Sequence, residues 1–353
     1  MSLSRNAKFE QKKTSSEVRQ FGLFRTVHHG VKRKLKWFLV GVLVLGLGGF
    51  CGLWMMAGAV ASPDRRELQD YHRSYLSGVE NYGVVVTART LLDGSVPCLT
   101  VRPDAAGGIA TRGVMLRRQL AEAGVKVPKF GGEAGLLVLL HGRNGRKEDL
   151  LPVAERFCAV GFVCVIPDLP AHGESPVATV GFGSRKFEAD LPGKVADEVR
   201  SELGLEAMPE FIWGISMGGS FAIHAASLEP KRWQGMVIVS SFDRLGGVVG
   251  DSLGIFSGAL QSWAEDFITM RGGPEVSAVN PVELAAELEV PSLVVHGDAD
   301  ELISHERGAA LYKAFAGPKE FMTIPGGTHD TLLITDAPAY AAMAIWFLSQ
   351  KTI

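Results

Sequence analysis

Trp213-Gly214-Ile215-Ser216-Met217-Gly218-Gly219 is the stretch of this 353-residue chain on which the fold turns. Before it, residues 211–213 form a short apolar run of strand type. After it, residues 217–228 carry the small and apolar side chains of a buried helix. A strand that passes into a helix through Gly-x-Ser-x-Gly must turn sharply, and small residues two before and two after the serine leave room for that turn. Ser216 is then presented at the C-terminal edge of a sheet and at a helix N-terminus, where the Met217 N–H and the helix dipole favour an oxyanion. The plain alternative is a glycine-rich turn with an inert serine.

Outward from the turn, strand and helix alternate. Strand 136–140 is followed by helix 149–160, and strand 162–166 by helix 187–203. Downstream come strand 236–239, strand 292–295 with helix 307–315, and strand 321–324 with helix 337–348. These strands are continuous apolar runs rather than alternating ones, the pattern of a parallel sheet covered by helices on both faces. Upstream, 84–89 and 98–101 flank Asp93-Gly94 and read as a hairpin, and 111–123 reads as a helix. The expectation is a doubly wound, mostly parallel α/β domain over 84–353, preceded by a connector at 62–83. A glycine-rich apolar segment at 243–280 interrupts the rhythm and is expected above the strand ends, where ligands bind. Its Trp263 and Phe267 suit either a lid or a core patch on a short helix.

A serine hydroxyl is a weak nucleophile and needs a base, itself held in one tautomer by an acid. Both follow downstream. His296-Gly297-Asp298-Ala299-Asp300 ends one strand, and Gly326-Gly327-Thr328-His329 follows the next. Ser216, Asp300 and His329 stand in the chain order Ser, acid, His, with Asp298 and Asp243 as alternative acids. A second oxyanion donor is expected after strand 136–140, where the chain reads His141-Gly142-Arg143-Asn144-Gly145. His141, His172 and His296 read as loop-orienting residues, and no spacing suggests a metal site.

These motifs, with Pro167-Asp168-Leu169-Pro170-Ala171-His172-Gly173 after the second strand of the alternation, resemble the α/β-hydrolase superfamily over residues 84–350. The likeness is in particular to bacterial hydrolases of the dienelactone-hydrolase and acyl-peptidase-like branch. The resemblance implies a serine hydrolase of carboxylic esters or thioesters without a cofactor, acting on a small or lipid-like acyl substrate. It favours Asp300 as the acid and assigns the second oxyanion donor to the Arg143 backbone N–H. Peptide or amide cleavage and acyl transfer are open to the same triad, and a non-catalytic binding protein on the same fold is the alternative of another class. Ala171 departs from the family, which has glycine before His172. Gly250-Asp251-Ser252-Leu253 spells the signature of a different esterase family, but so late in the chain that Ser252 is not expected to act.

Apolar residues make up 46% and charged ones 21%, which excludes disordered, collagenous and disulfide-scaffold chains. The net charge of −2 conceals an asymmetry, +8 over residues 1–36 against −10 over 62–353. An acidic body argues against nucleic acid as a partner, because such binders neutralise phosphate with Lys and Arg. Residues 37–61 hold 25 residues without a charge. As a helix they reach roughly 37 Å, against a hydrocarbon core of about 30 Å. Lys32, Arg33, Lys34 and Lys36 precede this run, so the positive-inside rule keeps a 1–36 leader cytoplasmic and sends the body to the outer side as a single-pass signal anchor. Cleavage after Ala59-Val60-Ala61 is the competing reading, and a buried core helix a weaker one.

Overall fold

The computed structural model describes residues 6–107, 111–205, 208–335 and 337–350, and of 6–32, 335 and 337 the backbone alone. The chain divides after Met55 into two units. The first consists of most of α1 (Asn6–Ala61), a helix of 56 residues. Within α1, Arg33–Ala61 holds an 18-residue stretch of mean hydropathy 2.1 and is long and apolar enough to cross a membrane by length and composition. The expected leader and span thus share one helix from Asn6 on, the first five residues lying outside the described ones.

The second unit opens with the last turn of α1 and a short helix α2 (Asp70–Ser77). The hairpin follows, β1 (Val84–Leu91) antiparallel to β2 (Val96–Pro103). Asp93 and Gly94 at its tip both have positive φ, the conformation that Asp-Gly turns supply. After α3 (Thr111–Glu122) come β3 (Gly135–Leu140), α4 (Leu151–Ala159), β4 (Phe162–Pro167), α5 (Lys186–Leu203), β5 (Glu210–Ile215), α6 (Met217–Leu228) and β6 (Trp233–Val239). The expected insertion holds two helices, α7 (Leu245–Leu253) and α8 (Ser257–Met270). Then follow α9 (Pro281–Ala285), β7 (Ser292–Gly297), α10 (His305–Ala314), β8 (Lys319–Ile324), α11 (Leu332–Thr335) and α12 (Ala337–Ser349).

The eight strands form one sheet in the order β1-β2-β4-β3-β5-β6-β7-β8, parallel from β4 to β8. β2 joins β4 antiparallel, so the hairpin extends one edge of the parallel sheet. All residues of β3 and β4 are buried, whereas only the two end residues of the edge strand β1 are, which is why one strand type reads as an apolar run and the other does not. On one face Phe162 packs its ring against Phe211 at 5.5 Å, Phe347 at 5.8 Å and Phe157 at 6.2 Å between centroids. Losing such a ring to alanine costs about 3–5 kcal/mol, so this cluster is a principal anchor of the sheet that carries the site.

Candidate active site

Ser216 stands between β5 and α6 with φ 54° and ψ −119°, a region that L side chains rarely occupy. Its neighbours hold it there. A Cβ on Gly214 would lie 2.1 Å from the Gly218 carbonyl oxygen, and one on Gly218 2.2 Å from the Leu140 carbonyl oxygen. Both positions therefore need glycine for close backbone approach. The Ser216 N–H donates to Val239 O at 2.8 Å, and the Ser216 carbonyl accepts from the Gly219 N–H at 3.0 Å and the Ser241 hydroxyl at 2.8 Å. Strain of this kind persists only where the surroundings over-determine it. Ser241 is a positioning residue that sequence reasoning missed, since nothing local marks a serine 25 residues away as a partner of the turn.

The loop after β3 lies against this serine, because a Cβ on Gly142 would come 3.4 Å from Ser216 Cβ. Among the described residues, the loop and cap hydrogen bonds give the backbone N–H of Arg143 and of Met217 no carbonyl to pair with. His141 fixes the loop from within. Its Nδ1–H donates to Gly142 O at 2.9 Å, while its Nε2 accepts the Leu169 N–H at 3.1 Å. That pair of bonds needs the neutral ring, and burial lowers its pKa accordingly. His172 donates from Nδ1 to Pro170 O at 2.8 Å, and burial pushes its pKa down to about 3. Ala171 sits at φ 65°, the left-handed conformation that explains the family's glycine there. Beneath both loops Lys147 Nζ bridges Asp168 at 2.8 Å and Glu174 at 2.6 Å, tying the segment after β3 to the one after β4.

At the far strands, His329 Nδ1 meets Asp300 Oδ2 at 2.8 Å. Asp300 Oδ1 accepts the N–H groups of Leu302 at 3.0 Å and Ile303 at 2.9 Å. Burial alone would raise the Asp300 pKa, but the hydrogen bonds from His329 and Ile303 outweigh it and hold the carboxyl below its usual range. The other two acids are engaged elsewhere. Asp298 accepts the Gly326 N–H at 2.6 Å and so secures the loop that carries His329, while Asp243 pairs with Arg307 and Arg244. His296 donates from Nε2 to Ile303 O at 2.9 Å, on the loop that returns from Asp300.

Ser216, Met217, Arg143 and His329 line one cavity of about 970 Å³, near the top of the range of about 300–1,000 Å³ usual for ligand sites. The insertion contributes Leu245, Val248 and Val249 from α7 to its wall. Trp263 does not line it and is 57% exposed, so it serves neither as a cavity wall nor as a core patch, and the insertion's part of the wall comes from α7. α8 turns Ala264 and Ile268 inward instead. Ser252 borders the cavity, but its hydroxyl donates to Val248 O of its own helix at 2.9 Å. Asp251 beside it pairs with Arg307 at 2.7 Å, which gives the GDSL-like tetrapeptide a structural use. Among the described residues no group of three metal-ligating side chains occurs.

The esterase of Pyrococcus furiosus superposes with a TM-score of 0.55 over 82% of this chain and 98% of that one, at 16% identity, a likeness of fold. The chain has the α/β-hydrolase fold. Residues 132–264 match the family described as serine aminopeptidase, S33. The chain is 25% identical to the uncharacterized protein YqkD of Bacillus subtilis over 198 residues, 55% of this chain and 64% of that protein, just under two thirds of its length. It is 27% identical to the monoacylglycerol lipase of Mycolicibacterium smegmatis over 206 residues, 48% of this chain and 71% of that protein.

Proposed function

We propose that this serine hydrolase cleaves carboxylic esters through an acyl-enzyme on Ser216 and works as a membrane-anchored protein. The observation that carries the reading is the 2.8 Å bond between His329 Nδ1 and Asp300, in a cavity that also exposes the strained Ser216. Asp300 holds the imidazole in the tautomer whose Nε2 takes the proton of Ser216 as the hydroxyl attacks the ester carbonyl. The Arg143 and Met217 N–H groups receive the oxyanion that forms, and collapse of the tetrahedral species expels the alcohol with the proton returned by His329. Water, activated by the same imidazole, then releases the acid.

The S33 family's description and the lipase relative's name point to amide and ester cleavage respectively. The charges around the cavity favour the ester. Arg66, Arg112, Arg143 and Arg156 line it against Asp149 and Asp330, a cationic excess that disfavours the free ammonium an aminopeptidase must seat. The helix Arg33–Ala61 supports the anchor, and the basic leader supports a cytoplasmic N-terminus with the catalytic unit on the outer side. Fluorophosphonate labelling tests the core of this. Wild type is expected to be labelled and Ser216→Ala not, with ester turnover falling about 10⁴–10⁶-fold, as triad removal typically costs. Full turnover by Ser216→Ala would refute the nucleophile.

A further inference from the structure

The last turn of α1 belongs to the catalytic unit, which begins at Met56. A helix end leaves up to four carbonyls without an intrahelical partner, and here the hydrolase body supplies partners. Ala59 O accepts from Arg143 Nη2 at 3.0 Å, and Ala61 O accepts the Val180 N–H at 2.9 Å. Ser62 Oγ donates to Ala178 O at 2.8 Å just beyond. Arg143 therefore does two things: it lines the cavity, and its guanidinium sits at the negative end of the helix dipole.

The turn presents two faces. Ala57 and Ala61 are fully buried, whereas Met56 and Val60, also four residues apart and so on one side of the helix, line the cavity. These residues also close the apolar stretch that is long enough to cross a membrane. The uncharged run exceeds by about five residues what a ~30 Å hydrocarbon core requires, so its final turn can lie at the bilayer surface while the rest spans. A soluble tether would leave the cavity wall to the hydrolase body. Here the wall is completed by the end of the membrane helix, and it is continued by the apolar face of α7.

We propose that the substrate is an acyl ester resident in the bilayer that α1 enters, taken up along the α1 turn where Met56 and Val60 wall the Ser216 cavity. This rests on the ester-hydrolase reading of that cavity and names its substrate class. The polar part of the cavity, with Tyr71, Asp149 and the arginines, suits the hydrated head of such an amphiphile, and the apolar part suits its chain.

The test uses the full chain reconstituted in phosphatidylcholine vesicles. Dioleoylglycerol, which passes slowly between vesicles, is supplied either in the same bilayer or in a second vesicle population, and 4-nitrophenyl acetate is followed as a water-soluble ester. The expected result is at least a tenfold faster release of oleate from the shared bilayer. In Val60→Trp the ratio of dioleoylglycerol to 4-nitrophenyl acetate turnover is expected to fall at least fivefold, a readout that general loss of folded enzyme would not move. Equal rates from the two vesicle populations, or an unchanged ratio in the variant, overturn the proposal while leaving the ester-hydrolase reading intact. Absence of both fluorophosphonate labelling and 4-nitrophenyl acetate turnover in wild type would overturn the two together.

Discussion

At the scale of single residues, three carboxylates compete for one imidazole, and hydrogen bonding separates them. Asp300 reaches His329, Asp298 serves the backbone of the loop that bears it, and Asp243 is taken by arginines. Asp300→Asn keeps the shape but favours the wrong tautomer, so kcat/KM for 4-nitrophenyl acetate is expected to drop about 10⁴-fold. Asp243→Asn and Asp298→Asn are expected to cost no more than about tenfold, through loosened packing alone. A larger loss at Asp243 than at Asp300 would move the acid to the end of β6. Gly218 makes a second prediction. Its missing Cβ accommodates the Leu140 carbonyl oxygen, which is backbone and cannot swing away, so Gly218→Ala is expected to destabilise by about 3 kcal/mol. A variant that melts with wild type in a thermal scan would refute that account. The elbow was legible because its demands are local: two glycines and a serine within five residues. The Arg143 guanidinium bond to Ala59 was not, because it joins residues 84 positions apart and leaves no pattern in either segment.

At the scale of elements, the parallel strands were readable as apolar runs, and the exceptions have a physical cause. β5 starts earlier than the run suggested because Glu210 is buried in it, its carboxylate held by Arg200 at 2.6 Å, and a charge in the sequence reads as a strand end. The bounds of α7 are not legible in the 243–280 segment, since Gly246, Gly247 and Gly250 depress its helix propensity. Tertiary contact overrides that. A Cβ on Gly247 would meet the Arg307 guanidinium at 2.1 Å, and that guanidinium clamps α7 by pairing with Asp243 and Asp251. Arg307→Gln should therefore loosen α7 more than it unfolds the sheet. Its expected cost is about 1–3 kcal/mol, the usual worth of hydrogen bonds to charged groups. KM for a long-chain ester should rise while the rate of fluorophosphonate labelling at Ser216 stays within about twofold. Loss of labelling together with the KM change would place Arg307 in the support of the elbow instead.

At the scale of the whole molecule, charge, hydropathy and the end of α1 bear on one question: whether the catalytic unit stays attached to its helix. The basic leader opposes translocation of the N-terminus, so protease added to intact spheroplasts is expected to digest residues 62–353 and spare an N-terminal tag. Cleavage after Ala61 would be tolerable only if the preceding turn were dispensable to the hydrolase. It is not dispensable in geometry, because a chain cut there loses Met56 and Val60 from the cavity wall and the Ala59 carbonyl that holds the Arg143 guanidinium. The active protein is therefore expected to stay in the membrane fraction, with fluorophosphonate label on a band that still carries the N-terminal tag. A labelled soluble fragment beginning at Ser62, fully active on long-chain esters, would show that the helix end is not part of the working site. A catalytic unit fully protected from external protease would reverse the orientation that the charge step implies.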